Sequence, residues 1–92
     1  MSGSRRLVRI VNRRGLHARA SAKFVQAVAA LPEGTAVEVA KDGHNAAGGS
    51  ILGLMMLGAA KGDTVEITVA GADAERVADE LEALVAGGFG ED

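Results

Sequence analysis

Apolar positions recur along the chain with two different periods, and the changes of period mark its elements. Between Asp63 and Ala70, Val65, Ile67 and Val69 alternate with Thr64, Glu66 and Thr68, which predicts a strand with one buried face. Thr35 to Lys41 alternates in the same way around Val37 and Val39. Leu7 to Val11 is apolar and β-branched apart from Arg9, so a strand with Val8 and Ile10 inward is expected. Two stretches follow the helical period instead. From Ala18 to Leu31, Phe24, Val25, Val28 and Leu31 share a stripe that leaves out Arg19, Lys23 and Gln26, and Pro32 stops the helix. After Asp73, read as an N-cap, Val77, Leu81, Leu84 and Val85 form the stripe of a last helix ended by Gly87 and Gly88.

Turn residues fill in the remaining elements. Asp42-Gly43 is a strong two-residue hairpin signal, so His44 to Gly48 is expected as the return strand. Ser50 stands as N-cap before Ile51-Leu52-Gly53-Leu54-Met55-Met56-Leu57, a short helix closed by Gly58. These apolar side chains are too many for one stripe on so short a helix. Some must be exposed, and exposed methionine suits a docking patch. The order β-α-β-β-α-β-α gives an α+β fold, a four-stranded antiparallel sheet covered on one face by three helices and open to water on the other. The 92 residues suffice for one core, hence one domain over residues 1–92, ending in an untethered acidic tail.

Composition narrows the chemistry. The chain has no cysteine, which excludes disulfides, thiolate metal sites and a cysteine nucleophile. His44 lies beside a turn without ligand partners, so neither metal nor cofactor is expected. No targeting segment or apolar run of membrane-spanning length is visible, and a cytoplasmic, monomeric protein without membrane insertion is the expectation. The net charge of −2 hides an asymmetry. Arg5, Arg6, Arg9, Arg13, Arg14, Arg19 and Lys23 fall in residues 1–32 with no acid, while the rest of the chain holds all 12 acids and three basic residues. Such segregation suggests a basic face that steers anionic ligands or acidic partners. A small nucleic-acid-binding module is the rival reading, weakened because there is no Tyr or Trp to stack on bases. A copper-chaperone-like carrier fails for want of cysteine.

The candidate chemistry sits at Gly15-Leu16-His17-Ala18-Arg19-Ala20-Ser21, where a histidine falls at a helix start. The first turn of a helix offers unpaired N–H groups and the positive end of the dipole, a natural anion site. His17 could be a boundary residue only, or an imidazole that accepts a phosphoryl group with Arg19 to meet the new charge. No nucleophile-and-base pair and no Lys-Ser/Thr phosphate loop supports turnover of a small molecule. A carrier needs less, because a neutral imidazole can attack a phosphoryl group already activated on a partner.

Gly15-Leu16-His17-Ala18-Arg19 and Ser50-Ile51-Leu52-Gly53-Leu54-Met55, at this separation, are together specific: the chain resembles the HPr family of histidine-containing phosphocarriers of the bacterial phosphoenolpyruvate-dependent phosphotransferase system over nearly its whole length. The resemblance implies an open-faced β-sandwich. It further implies that His17 takes phosphate on Nδ1 from enzyme I and passes it to a IIA component, with Arg19 stabilising the phosphate. Ser50 matches the serine modified by an HPr kinase/phosphorylase where one exists. Leu16, Ala18, Ala20, Lys23, Ile51, Leu52, Leu54 and Met55 are the expected partner-binding residues. One departure is Ala20, where the family pattern has proline. Alanine adds an N–H and removes rigidity, which leaves sugar uptake and nitrogen-type regulation both open.

Overall fold

The computed structural model describes residues 3–91. Strand β1 (Gly3–Arg9) is followed by helix α1 (Ala18–Ala29), strands β2 (Ala36–Lys41) and β3 (His44–Ala47), helix α2 (Ile51–Met56), strand β4 (Thr64–Ala70) and helix α3 (Ala74–Ala86), with a 3-10 turn at Gly88–Gly90. The four strands form one antiparallel sheet in the order β1-β4-β2-β3. The expected element order and fold are therefore borne out, the closing turn being an addition.

Register follows the alternation. Val65, Ile67 and Val69 of β4 are at most 2 % exposed and oppose Val8 on β1 and Val37 and Val39 on β2. These positions share the face that the helices cover, while Arg5, Leu7, Glu66 and Glu38 lie on the open face. The hairpin turn has positive φ at Asp42 (51°) and Gly43 (84°), which sets Lys41 opposite His44 as a mirror-image two-residue turn demands.

Strand β1 starts four residues earlier than the hydrophobic pattern implies and stops at Arg9. Its inward positions Ser4 and Arg6 are polar, so alternation there is hidden. Arg6 is made tolerable by α3: its guanidinium, 21 % exposed, meets Asp79 at 2.7 Å, Glu82 at 3.3 Å and Glu75 at 3.4 Å. Helix α1 ends at Ala29 instead of Leu31, its last N–H groups closing tighter bonds such as Leu31 N–H to the Val28 carbonyl. Asp73 precedes α3 as expected, yet its carboxylate makes no cap bond and instead accepts from Arg76 at 3.2 Å.

Phe24, Phe89, Ile10, Leu54, Ile67 and Leu81 are the largest fully buried side chains. Phe89 corrects the expectation of an untethered tail. It is 2 % exposed, and it reaches the core because Gly88, Phe89 and Gly90 all have positive φ (68°, 58° and 75°), bending the chain back over α1. A bulky residue rarely adopts that conformation, and the glycines on either side are what let the backbone make so tight a return. Asp92, also assigned to the tail, lies outside the described residues.

Candidate functional site

The site begins with Gly15. Its φ of +61° is open to glycine, and a Cβ there would stand 2.2 Å from the Ala59 carbonyl oxygen. That closeness allows Leu16 N–H to donate to the same carbonyl at 3.0 Å, which ties the loop after β1 to the segment before β4. His17 comes next, in extended conformation as the N-cap of α1, where its own carbonyl accepts from Ser21 N–H at 2.9 Å. Its ring makes no cap bond. The N–H groups of Ala18, Arg19 and Ala20 find no backbone carbonyl among the described residues, so the first turn keeps its donors free.

Arg13, Arg14, His17, Arg19 and Glu91 line an open depression of about 280 Å³. None of the three arginines makes an ion pair or hydrogen bond among the described residues, whereas Arg5 and Arg6 are paired with acids of β4 and α3. The basic character seen along residues 1–32 is thus partly cancelled in space and survives around His17. Arg19 is exposed and lines the same depression as the His17 ring.

Glu91 was not among the expected site residues. Its carboxylate reaches His17 Nε2 with both oxygens, at 2.8 Å and 3.0 Å, and accepts from Asn12 Nδ2 at 3.1 Å. Asn12 is 1 % exposed and also donates to the Gly15 carbonyl at 2.8 Å, so it joins the loop to the tail. Burial alone would push the Glu91 carboxyl up. Hydrogen bonds from His17 and Asn12, with the Lys23 charge nearby, outweigh it and hold the group below the usual carboxylate range. His17 Nδ1 takes no hydrogen bond among the described residues.

The expected partner-binding residues divide. Leu16 (6 % exposed), Ala20 (0 %) and Leu54 (0 %) face the interior and cannot meet a partner, because each occupies the inward position of its turn of chain; Leu16 and Leu54 line one interior void with Phe24 and Ile10. Lys23 is half-buried, its ammonium donating to the Phe89 carbonyl at 2.7 Å. Ala18 is exposed, as are Ile51 (41 %), Leu52 (68 %) and Met55 (40 %). Met56 at 76 % completes the patch they form. Ser50 caps α2, its hydroxyl accepting from Gly53 N–H at 2.9 Å. No helix of the described residues is long and apolar enough to cross a membrane.

Residues 4–87 match the family described as PTS HPr component phosphorylation site. A phosphocarrier protein HPr of Neisseria meningitidis is 44 % identical over 84 residues, covering 91 % of this chain and 92 % of its own. A phosphocarrier protein NPr of Shewanella violacea is 35 % identical over 91 residues, covering 99 % and 98 %. Among solved structures, HPr-C-His from Thermoanaerobacter tengcongensis superposes with a TM-score of 0.88 at 34 % identity, covering 97 % of this chain and 98 % of that one.

Proposed function

This chain belongs to the HPr phosphocarrier family of the phosphotransferase system, and we propose that within it His17 accepts a phosphoryl group on Nδ1 from a phosphorylated enzyme I and hands it to a IIA component. The observation that carries this is the placement of His17. The ring stands at the N-cap of α1, in a depression with three arginines that, like its Nδ1, have no hydrogen-bond or ion-pair partner among the described residues, while Nε2 is occupied by Glu91. Arg19 is the nearest phosphate-stabilising group in sequence, and Arg13 and Arg14 add to the field that draws an anionic phosphoryl group in. The chain supplies no turnover of its own; activation of the phosphorus is the partner's work.

Docking falls to the exposed apolar patch of Ile51, Leu52, Met55 and Met56, with Ala18 on α1. Ser50 is proposed as a second, regulatory phosphorylation site, its hydroxyl lying at the head of that patch. Nitrogen-type regulation and sugar uptake remain alternative destinations for the phosphoryl group, since HPr and NPr phosphocarriers are both similar to this chain.

The test is incubation with phosphoenolpyruvate and enzyme I, read by intact mass. Wild type and His44→Ala should each gain one acid-labile phosphoryl group, and His17→Ala none. Labelling of a folded His17→Ala, or its loss in a folded His44→Ala, would overturn the assignment.

A further inference from the structure

Glu91 sits in a built position. Phe89 anchors the segment in the core at 2 % exposure, Lys23 Nζ holds the Phe89 carbonyl at 2.7 Å, and Asn12 Nδ2 grips Glu91 Oε1 at 3.1 Å. The carboxylate so placed is 18 % exposed and lies 2.8 Å from His17 Nε2, whose ring is 21 % exposed. Among the described residues it is also the sole acid lining a depression that otherwise carries Arg13, Arg14, His17 and Arg19. An acid among arginines lowers the attraction for a phosphoryl group, so its presence against the nucleophile calls for a return.

The hydrogen-bond chemistry supplies one. An ionised carboxylate can only accept, so the ring must donate from Nε2. A neutral imidazole carries one N–H, and with that proton on Nε2 the lone pair is on Nδ1. We propose that Glu91 is a positioning residue which, held by Phe89, Lys23 and Asn12, fixes His17 as the Nε2–H tautomer with Nδ1 nucleophilic and then partners the cationic ring formed on phosphorylation. This rests on His17 being the phosphoryl acceptor.

The Nδ1 lone pair forms a nitrogen–phosphorus bond as the corresponding bond of the donor's phosphohistidine breaks, and that electron pair returns to the donor ring. No proton moves. The Nε2 proton stays in place, so the acceptor ring gains a positive charge facing Glu91 while the donor ring loses one. The two roles of Glu91 separate by substitution. Glutamine can still accept from Nε2–H but brings no charge, and alanine does neither.

Long-range ¹H–¹⁵N spectra of the full chain labelled in histidine, recorded near neutral pH, read the tautomer without any phosphoryl donor. Wild type and Glu91→Gln should show protonated Nε2 and unprotonated Nδ1. Glu91→Ala should lose that preference by about tenfold or more, the worth of a charge-assisted hydrogen bond. The phosphoryl-transfer equilibrium with phosphorylated enzyme I should shift toward the donor by a similar factor in both variants. Melting temperature and the retained signals of Phe89 check that each variant keeps its tail docked. An unchanged tautomer ratio in Glu91→Ala, or an unchanged transfer equilibrium in Glu91→Gln, would overturn the inference even where His17 is labelled. Absence of labelling in wild type would overturn the carrier reading and with it the second role, leaving the tautomer result to stand or fall separately.

Discussion

Replacing Gly15 by alanine tests whether the loop after β1 is as tightly constrained as its geometry indicates. The added Cβ would lie 2.2 Å from the Ala59 carbonyl oxygen and 2.9 Å from Ala60 Cα, both backbone atoms that cannot rotate away. To reach even 3.0 Å the loop and the segment before β4 must part. That movement lengthens or breaks the Leu16 N–H bond to Ala59, now 3.0 Å, and leaves the N–H of a residue only 6 % exposed without a partner. An unsatisfied buried donor costs about 1–3 kcal/mol. Holding alanine in the left-handed region costs about 1–2 kcal/mol more. The smaller entropy of the unfolded alanine chain returns about 0.4–1 kcal/mol. The net loss is about 2–4 kcal/mol, which in a domain of this size lowers Tm by about 10–25 °C. The chain has no Trp or Tyr, so the measurement is a far-UV circular dichroism melt or urea titration, not intrinsic fluorescence. Because His17 is two residues away, phosphorylation should slow as well. A Tm within about 3 °C of wild type would refute the reasoning, since a 1 kcal/mol loss alone shifts it further.

Ser50→Ala should cost about 1 kcal/mol by removing the bond to Gly53 N–H, read from urea midpoints, while Ser50→Asp keeps a capping oxygen and should leave stability near wild type but raise KM toward enzyme I. Phe89→Ala should destabilise by about 2–3 kcal/mol, below the usual range of about 3–5 kcal/mol for a buried phenylalanine, because the glycine-flanked segment after α3 can detach instead of leaving a cavity; hydrogen exchange should show the amides from Gly88 to Glu91 losing protection together. Acidification should undo the tail before the sheet. The Glu91 carboxyl is held below its ordinary value in the fold, so its contribution is complete above the unfolded carboxylate range and is lost as pH falls through the lowered value; NMR signals of the last residues should broaden or shift in that window in wild type and not in Glu91→Gln.

Much of this fold was legible because its informative elements obey one period each. The β4 alternation predicts the burial found, Asp42-Gly43 fixes the hairpin, and Ser50 caps the helix it was expected to cap. The surplus of apolar residues on α2 correctly implied exposure, since Ile51, Leu52, Met55 and Met56 all reach solvent. Which residues would point inward was not legible there. A six-residue helix makes less than two turns, too few for a stripe to declare itself, so its pattern does not single out Leu54, which is fully buried instead of lying in the expected partner surface. Leu16 and Ala20 are buried for a different reason. Neighbouring a functional histidine in sequence says nothing about the side of the chain on which a side chain lies, and both point away from the depression that His17 and Arg19 share.

The missed acid shows where charge counting stops working. Along the sequence, every charged side chain in residues 1–32 is basic and the acids lie beyond, which leaves His17 with cations alone for charged neighbours. Folding brings Glu91 back across 74 positions to touch it. The signal for that return was not a charge but an apolar residue. The chain has only two phenylalanines, and one stands in Gly87-Gly88-Phe89-Gly90, where no period could bury it. A large aromatic in a glycine-rich terminus either stays in water at a cost of about 1.5–3 kcal/mol of lost burial or finds the core. Glycines on both sides remove the backbone obstacle to the second outcome. Once Phe89 is docked, Glu91 is two residues from the anchor and within reach of the α1 N-terminus, so the one carboxylate that lines the site among the described residues is delivered by hydrophobic burial, with its hydrogen bond to His17 following from that placement.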